Sequence, residues 1–294
     1  MTRLYEAVQA LEKLYPLEYA EDWDAPGLIV GDLLAPVRRI VCVCDPKLST
    51  VTHAIDMGAD LLVTHHPLFF KAVHDVSGRG VRGEIVQRLM THHCGLWVGH
   101  TNADVAWRGV AHAAADAFGL RNLRPLVSTG QSDSAQHPVG LGRVGALDTS
   151  MSLRDFSQRV FDVLPRTQLG IQVAGNLDAL VKTVAVLPGS GDSLFDAVRE
   201  SQADVYVTSD LRHHPATDAF EQALYESQLR SKINPDCEKK VYPMLINTPH
   251  SAIESLWFNY AISDIAHAVT QISGELPEVT WLPDSCDPWN YVIN

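Results

Sequence analysis

The chain has 294 residues, of which 46% are hydrophobic and 20% charged, and it carries a formal net charge of −12. These values suit a globular protein that buries real cores in one large domain or two modest ones. The acidic balance argues against a surface built to displace phosphate counterions, so a nucleic-acid partner is not expected.

The opening segment, MTRLYEAVQALEKLYP, lacks the apolar core and cleavage site of a secretory leader. No apolar run reaches the roughly 18 residues of a membrane span, and no membrane partner is expected. The cysteines are Cys42, Cys44, Cys94, Cys237 and Cys286. Their odd number and scattered spacing fit reduced thiols in the cytoplasm. Cys42 and Cys44, in the apolar strand pattern VCVCD, read as buried structural thiols.

The chain then repeats itself. Residues 39–67 and 182–208 each run as strand, turn, helix and strand, and each second strand follows Ala-Asp and ends in Val-Thr. The first copy predicts strands Val41–Cys44 and Leu61–Thr64 around a helix near 48–57. The second predicts Val184–Leu187 and Val205–Thr208 around a helix near 192–201. Ser49, and Asp192 or Ser193, are the expected N-caps. The first copy continues with a helix near 81–92, a strand Leu96–Gly99 and a helix from about 104 to 118. The second continues with a helix near 213–228, a strand Met244–Asn247 and a helix from about 251 to 271. Alternating strands and helices imply right-handed crossovers. The expected fold class is therefore α/β, with two pseudo-repeated lobes, 1–128 and 129–294, whose mainly parallel or mixed sheets are flanked by helices. Residues 124–140 read as a polar connector and 226–240 as an exposed loop.

Thirteen histidines are present, many in short motifs. After its third strand each half places a carboxylate four residues beyond a His: His100 and Asp104 in GHTNAD, His250 and Glu254 in PHSAIE. On a helix such residues share a face, so both can reach one ion. His65 and His66, in VTHHP, follow a buried strand, where open α/β sheets place their ligands. Four imidazoles and two carboxylates suit Zn, Fe, Mn, Co or Ni. They exceed what one catalytic tetrahedral ion takes, and suit two divalent ions roughly 3.5–4 Å apart. A single motif of this kind arises by chance or serves structure; their register with the repeat carries the metal reading.

His213 and His214, in TSDLRHHP, are candidate catalytic acids or bases, with a surface or cap position as the alternative. Pro188-Gly189-Ser190-Gly191 reads as a tight turn opening a helix that could hold an anion, though it lacks the Lys of a P-loop. His92 and His93 sit at a helix end, where cations are favoured. His53, His74, His112, His137 and His267 read as having no supporting partners. Arg38-Arg39, Arg79 with Arg82, and Lys239-Lys240 read as solvated surface.

With these residues in hand, the sequence resembles the Nif-three-like family, whose members are called GTP cyclohydrolase 1 type 2 homologs. The match runs nearly end to end. It passes through AEDWDAPGLIVGD (20–32), VTHHPLFF, GHTNADVAWRGV, GRVGAL (142–147), LPGSGDSLFDAV, ADVYVTSDLRHHPATDA and the His250–Glu254 segment. The resemblance implies the Nif-three-like fold over one module covering 1–294. It also implies a dinuclear metal centre at the lobe interface, and a ring-shaped hexamer of dimers. Carried over by position, the metal ligands are His65, His66, His100, Asp104, His250 and Glu254, the set reached from the repeat. Ser251 stands where the family has an aromatic residue, Pro249 precedes the His, and Thr208-Ser209-Asp210 replaces Thr-Gly-Asp or Thr-Gly-Glu. The short connector excludes the inserted domain of longer relatives. Trp23 and Asp24 either support the site or pack.

The expected function is metal-dependent hydrolysis of a nucleotide, phosphoester or related small molecule. A GTP ring-opening reaction is one version, resting on the family's name alone. The alternative is a non-catalytic regulatory or scaffold hexamer that binds metal.

Overall fold

The computed structural model describes every residue except Ser134, Cys237, Glu238, Lys239, Ser285 and Asn294. The expectations for Cys237 and Lys239 thus lie outside the described residues. In chain order the elements begin with α1 (Leu4–Leu14), β1 (Gly27–Val30), β2 (Arg39–Val43), α2 (Leu48–Asp56), β3 (Leu61–Thr64), α3 (Val81–Thr91), β4 (Gly95–Val98) and α4 (Thr101–Val105). They continue with α5 (Val110–Ala117), β5 (Leu120–Arg124), β6 (Val127–Ser132), β7 (Pro138–Leu141), β8 (Arg143–Ser152), α6 (Leu153–Val163), β9 (Gln172–Ala174) and β10 (Leu180–Ser190). Then follow α7 (Phe195–Ser201), β11 (Val205–Ser209), α8 (His213–Ile233), β12 (Met244–Thr248), α9 (His250–Glu254), α10 (Phe258–Ser273) and β13 (Glu278–Trp281).

The chain forms two compact units. The first comprises Met1–Gly109 and Trp257–Cys286; the second comprises Val110–Leu256 and Asp287–Asn294. The boundary expected near residue 128 falls at Gly109 instead, and the chain returns to its first unit near its end. The cause is packing: α10 lies on α1, β13 joins β2, and α5 packs on β5, β8 and β10.

The first unit holds a five-stranded sheet in the order β1-β4-β3-β2-β13. Four strands are parallel, and only β1 runs antiparallel, against β4. All four residues of β3, Leu-Leu-Val-Thr, are buried. Such unbroken apolar runs are what a parallel strand covered on both faces requires. One face gathers Val41, Val43, Leu62, Leu96, Val51 and Leu89 into a core. The second unit holds a six-stranded mixed sheet, β5-β8-β10-β11-β12-β9, and the small β6-β7 ribbon. Its parallel centre, β10-β11-β12, answers to β2-β3-β4, so the two α/β repeats expected from sequence are both present. Val184, Val205, Ile246, Phe156 and Ile253 form its main core.

Several boundaries differ from expectation, each for a local reason. The helix expected over 104–118 is split into α4 and α5: Ala106 is extended, and a Cβ at Gly109 would fall 1.8 Å from the Ala103 carbonyl oxygen. The helix expected from 251 is likewise α9, a 3₁₀ turn at Ser255–Trp257, and α10. The N-caps are Lys47 for α2 and Leu194 for α7, not Ser49 and not Asp192 or Ser193. Residues 124–140 contain most of the β6-β7 ribbon, and α8 extends to Ile233 through part of the expected loop. None of the helices, among the described residues, is long and apolar enough to cross a membrane.

Candidate metal centre

In the first unit the parallel ladder of β2 and β3 continues past Thr64. The backbone N–H groups of His65 and His66 both donate to the Cys44 carbonyl, at 3.1 and 2.9 Å. This seats two imidazoles at the carboxyl end of the sheet. The neighbouring strand ends likewise, with Gly99 N–H donating to the Thr64 carbonyl at 2.9 Å. Only glycine fits there, because a Cβ would meet Trp97 at 2.7 Å and Trp257 at 2.9 Å. His100 follows as the N-cap of α4, and its backbone N–H donates to Asn102 Oδ1 at 2.9 Å. The rings of His65, His66 and His100 stand 5.0 to 5.8 Å apart, centre to centre. Asp104 Oδ1 lies 3.9 Å from His65 Nε2.

Each of these imidazoles is anchored through Nδ1. His65 Nδ1 bonds the Gly99 carbonyl at 2.8 Å, and this side chain is only 1% exposed. His66 Nδ1 bonds Asp45 Oδ1 at 2.9 Å, and Cys44 Sγ lies 3.8 Å from the same nitrogen. His100 Nδ1 bonds Asp24 Oδ2 at 2.9 Å. Carbonyls and carboxylates only accept, so each Nδ1 donates, and the neutral ring carries its lone pair on Nε2. Metal-binding histidines are usually held in this way. Asp24 also accepts from the Thr101 N–H at 3.1 Å and hydroxyl at 2.6 Å. Burial alone would raise its pKa, but the hydrogen bonds from His100 and Thr101 outweigh burial and bring it down to about 2. It remains an anion at neutral pH. Trp23 meets the His100 ring edge-on at 5.8 Å. Of the two residues left open, Asp24 holds His100, and Trp23, exposed, packs against the edge of its ring.

The second unit presents one imidazole and one carboxylate on α9. Pro249 caps the helix and His250 is its first residue. His250 Nε2 lies 2.9 Å from Glu254 Oε1, so the i, i+4 spacing brings the two donors together. His250 Nδ1 bonds Asp210 Oδ2 at 2.6 Å. Asp210 follows β11 in the left-handed region, φ 54°, which Asp tolerates better than most residues. Glu254 is buried, and Gly189 makes room for it: a Cβ there would sit 2.8 Å from Glu254 Oε1.

Pro188-Gly189-Ser190-Gly191 does not form the anion-holding turn considered from sequence. Its first three residues extend β10, where Ser190 pairs with Ser209. Thr208 Oγ1 donates to the Gly189 carbonyl at 3.1 Å and Tyr206 to the Gly191 carbonyl at 3.1 Å. These glycines serve close approach. His213 and His214 open α8 as exposed residues, with rings 5.2 Å apart. His92 is the C-cap of α3, its Nδ1 2.8 Å from the Arg88 carbonyl. His53, His137 and His267, which sequence left without supporting partners, have them: Asp284 from a distant segment, and Asp133 and Gln271 four residues away. Cys42 and Cys94 are buried, and burial pushes each thiol up to about 12.

Six of the residues singled out from sequence thus form two clusters, one in each unit. Asp24, Asp45 and Asp210 complete them. Reasoning from sequence gave Asp45 and Asp210 no orienting role. The available signal was weak: each of these two stands one or two positions beyond a strand end.

The chain is an α/β protein with imidazoles and carboxylates gathered at its strand ends. The chain belongs to the Duf34/NIF3 (NGG1p interacting factor 3) family, whose profile matches residues 2–271. A Streptomyces coelicolor relative named "GTP cyclohydrolase 1 type 2 homolog" is 45% identical over 219 residues, covering 74% of this chain and 76% of the relative. The crystal structure of a Bacillus cereus protein related to NIF3 superposes with a TM-score of 0.81 at 21% identity, covering 99% of each chain, which speaks for the fold. A Staphylococcus aureus protein, SA1388, gives 0.79 at 25% identity with the same coverage.

Proposed function

We propose that this protein is a dinuclear metal-dependent hydrolase of a nucleotide, phosphoester or related small molecule. One observation carries the reading. All four candidate imidazoles are held at Nδ1 by a carboxylate or carbonyl, which leaves Nε2 as the atom that would meet a metal; in His250 it faces Glu254 Oε1 at 2.9 Å. His53, His92 and His137 have the same kind of Nδ1 anchor but stand apart, whereas the rings of His65, His66 and His100 gather at 5.0 to 5.8 Å, as donors to shared ions would. With Asp104 and Glu254 the set is four nitrogens and two carboxylates, which fits Zn, Fe, Mn, Co or Ni.

His65, His66, His100 and Asp104 would hold metal from the first unit, and His250 and Glu254 from the second. Bound divalent ions supply a water of lowered pKa and take up charge on the attacked group. Asp24, Asp45 and Asp210 keep the imidazoles in the metal-binding tautomer. Trp97 and Trp257 exclude water behind His65 and Gly99. His213 and His214 are the groups proposed to hold or deliver a proton to the leaving atom. A homo-hexamer and a cytoplasmic setting go with this reading.

The test is elemental analysis of the protein purified without chelators, alongside hydrolysis of a nucleotide and phosphoester panel. About two metals per subunit, with turnover that vanishes on chelation and returns on reloading, is the expected result. Two metals without turnover favours the regulatory scaffold. A protein devoid of metal ends both readings.

A further inference from the structure

A cleft of about 490 Å³ opens beside His66 in the first unit, and none of the roles assigned above uses it. The volume lies within the roughly 300–1,000 Å³ of small-molecule sites. Its walls are apolar, from Leu48, Leu68, Val81 and Ile85. Phe70 also lines it, exposed, with its ring edge-on to His100 at 5.8 Å.

The charge in the cleft is positive. Lys47 Nζ bonds the Cys286 carbonyl at 3.4 Å, and Arg82 Nε the Leu68 carbonyl at 2.7 Å. Both cations lack a carboxylate partner among the described residues. The lining carboxylate, Asp45, is engaged by His66. Two helices, α2 and α3, begin at Leu48 and Val81 on this cleft, and no side chain caps either N-terminus. Their positive ends reinforce the two cations.

Apolar walls, an aromatic ring, two cations without an ion-pair partner against one lining carboxylate, and a candidate ligand histidine in one wall describe one kind of occupant. We infer that the cleft binds the substrate's non-reacting portion, and that this substrate is an anionic, ring-bearing molecule of nucleoside-monophosphate size. The ring packs on Phe70 and the aliphatic wall, the anionic group meets Lys47 and Arg82, and the scissile bond lies toward His66. The inference rests on the hydrolase reading and names its substrate class.

Equilibrium dialysis of the metal-loaded protein tests it, with AMP and GMP as probes, each against its own nucleoside. The expected result is retention of at least one monophosphate, about tenfold more tightly than its nucleoside. Lys47→Gln with Arg82→Gln should remove about that factor while leaving nucleoside binding and metal content unchanged. Val81→Glu provides a second variant, because a carboxylate in the first turn of α3 suits the helix while opposing an anion in the cleft. It should weaken the monophosphate more than the nucleoside, which loses only the Val81 part of the aliphatic wall. Failure of both monophosphates to bind, equal binding of monophosphate and nucleoside, or wild-type binding by the variants overturns the inference. These outcomes concern binding and metal content only. A protein that binds the monophosphate but hydrolyses nothing fails the hydrolase reading and leaves the cleft assignment standing.

Discussion

The two units present their candidate metal donors in opposite ways. The first takes three imidazoles from the ends of adjacent parallel strands, where the backbone ladder itself fixes them, and buries His65 completely. The second relies on one turn of helix, and the His250 side chain remains 29% exposed. Its anchor, Asp210, is 54% exposed, whereas the Asp24 that holds His100 is 3% exposed. A hydrogen bond in a low-dielectric interior is stronger than one in contact with water. The first cluster is therefore the more preorganised, and the second is the more easily displaced.

That contrast can be broken directly. The largest effect is expected from Glu254→Ala, which removes the buried carboxylate of the second unit. Metal content should fall by about one ion per subunit, and turnover by two orders of magnitude or more. Elemental analysis and initial rates report both, and a variant with full metal content refutes Glu254 as a ligand. Asp24→Ala should come next. Loss of an anchor behind a metal-bound His typically costs about 10–100-fold in metal affinity, measurable by competition with a chromogenic chelator. Asp210→Ala should lie at or below the low end of that range, because water can replace an exposed acceptor. If Asp210→Ala costs more than Asp24→Ala, the proposed order of preorganisation is reversed. The smallest effect is expected from Gly189→Ala, which puts a side chain at φ +80° and 2.8 Å from Glu254 Oε1. A destabilisation of roughly 1–2 kcal/mol in urea unfolding is expected from the backbone alone, with weaker metal retention from the crowded carboxylate. Wild-type behaviour in both assays would show that Glu254 has room to move.

Much of this was legible in the sequence. Continuous apolar runs such as Leu61–Thr64 identify buried parallel strands, and the repeat aligns the two His-carboxylate pairs. For His250 and Glu254 the helical spacing describes the actual geometry. For His100 and Asp104 the backbone also keeps that spacing, Asp104 N–H donating to the His100 carbonyl at 3.0 Å, although His100 is the cap of a five-residue helix. What spacing alone does not reveal is the break that follows, where extended Ala106 and closely packed Gly109 split the expected helix. The orienting carboxylates were hidden because each comes from a distant segment; Asp24 precedes its His100 by 76 positions. The unit boundary was missed because a strand near the end of the chain completes a sheet begun near its start.

That last feature bears on how the protein is made. Strand β13 pairs with β2, and Arg39 reaches Glu278 across 239 positions. On the ribosome the first unit's sheet waits for nearly the whole chain before its outer edge is covered. During that interval β2 presents unsatisfied backbone groups, the kind of edge on which nascent chains aggregate. A fragment ending at residue 128 would keep that edge permanently and lose the α10 surface that packs on α1, so three of the candidate ligand histidines could not be studied on it in their native setting.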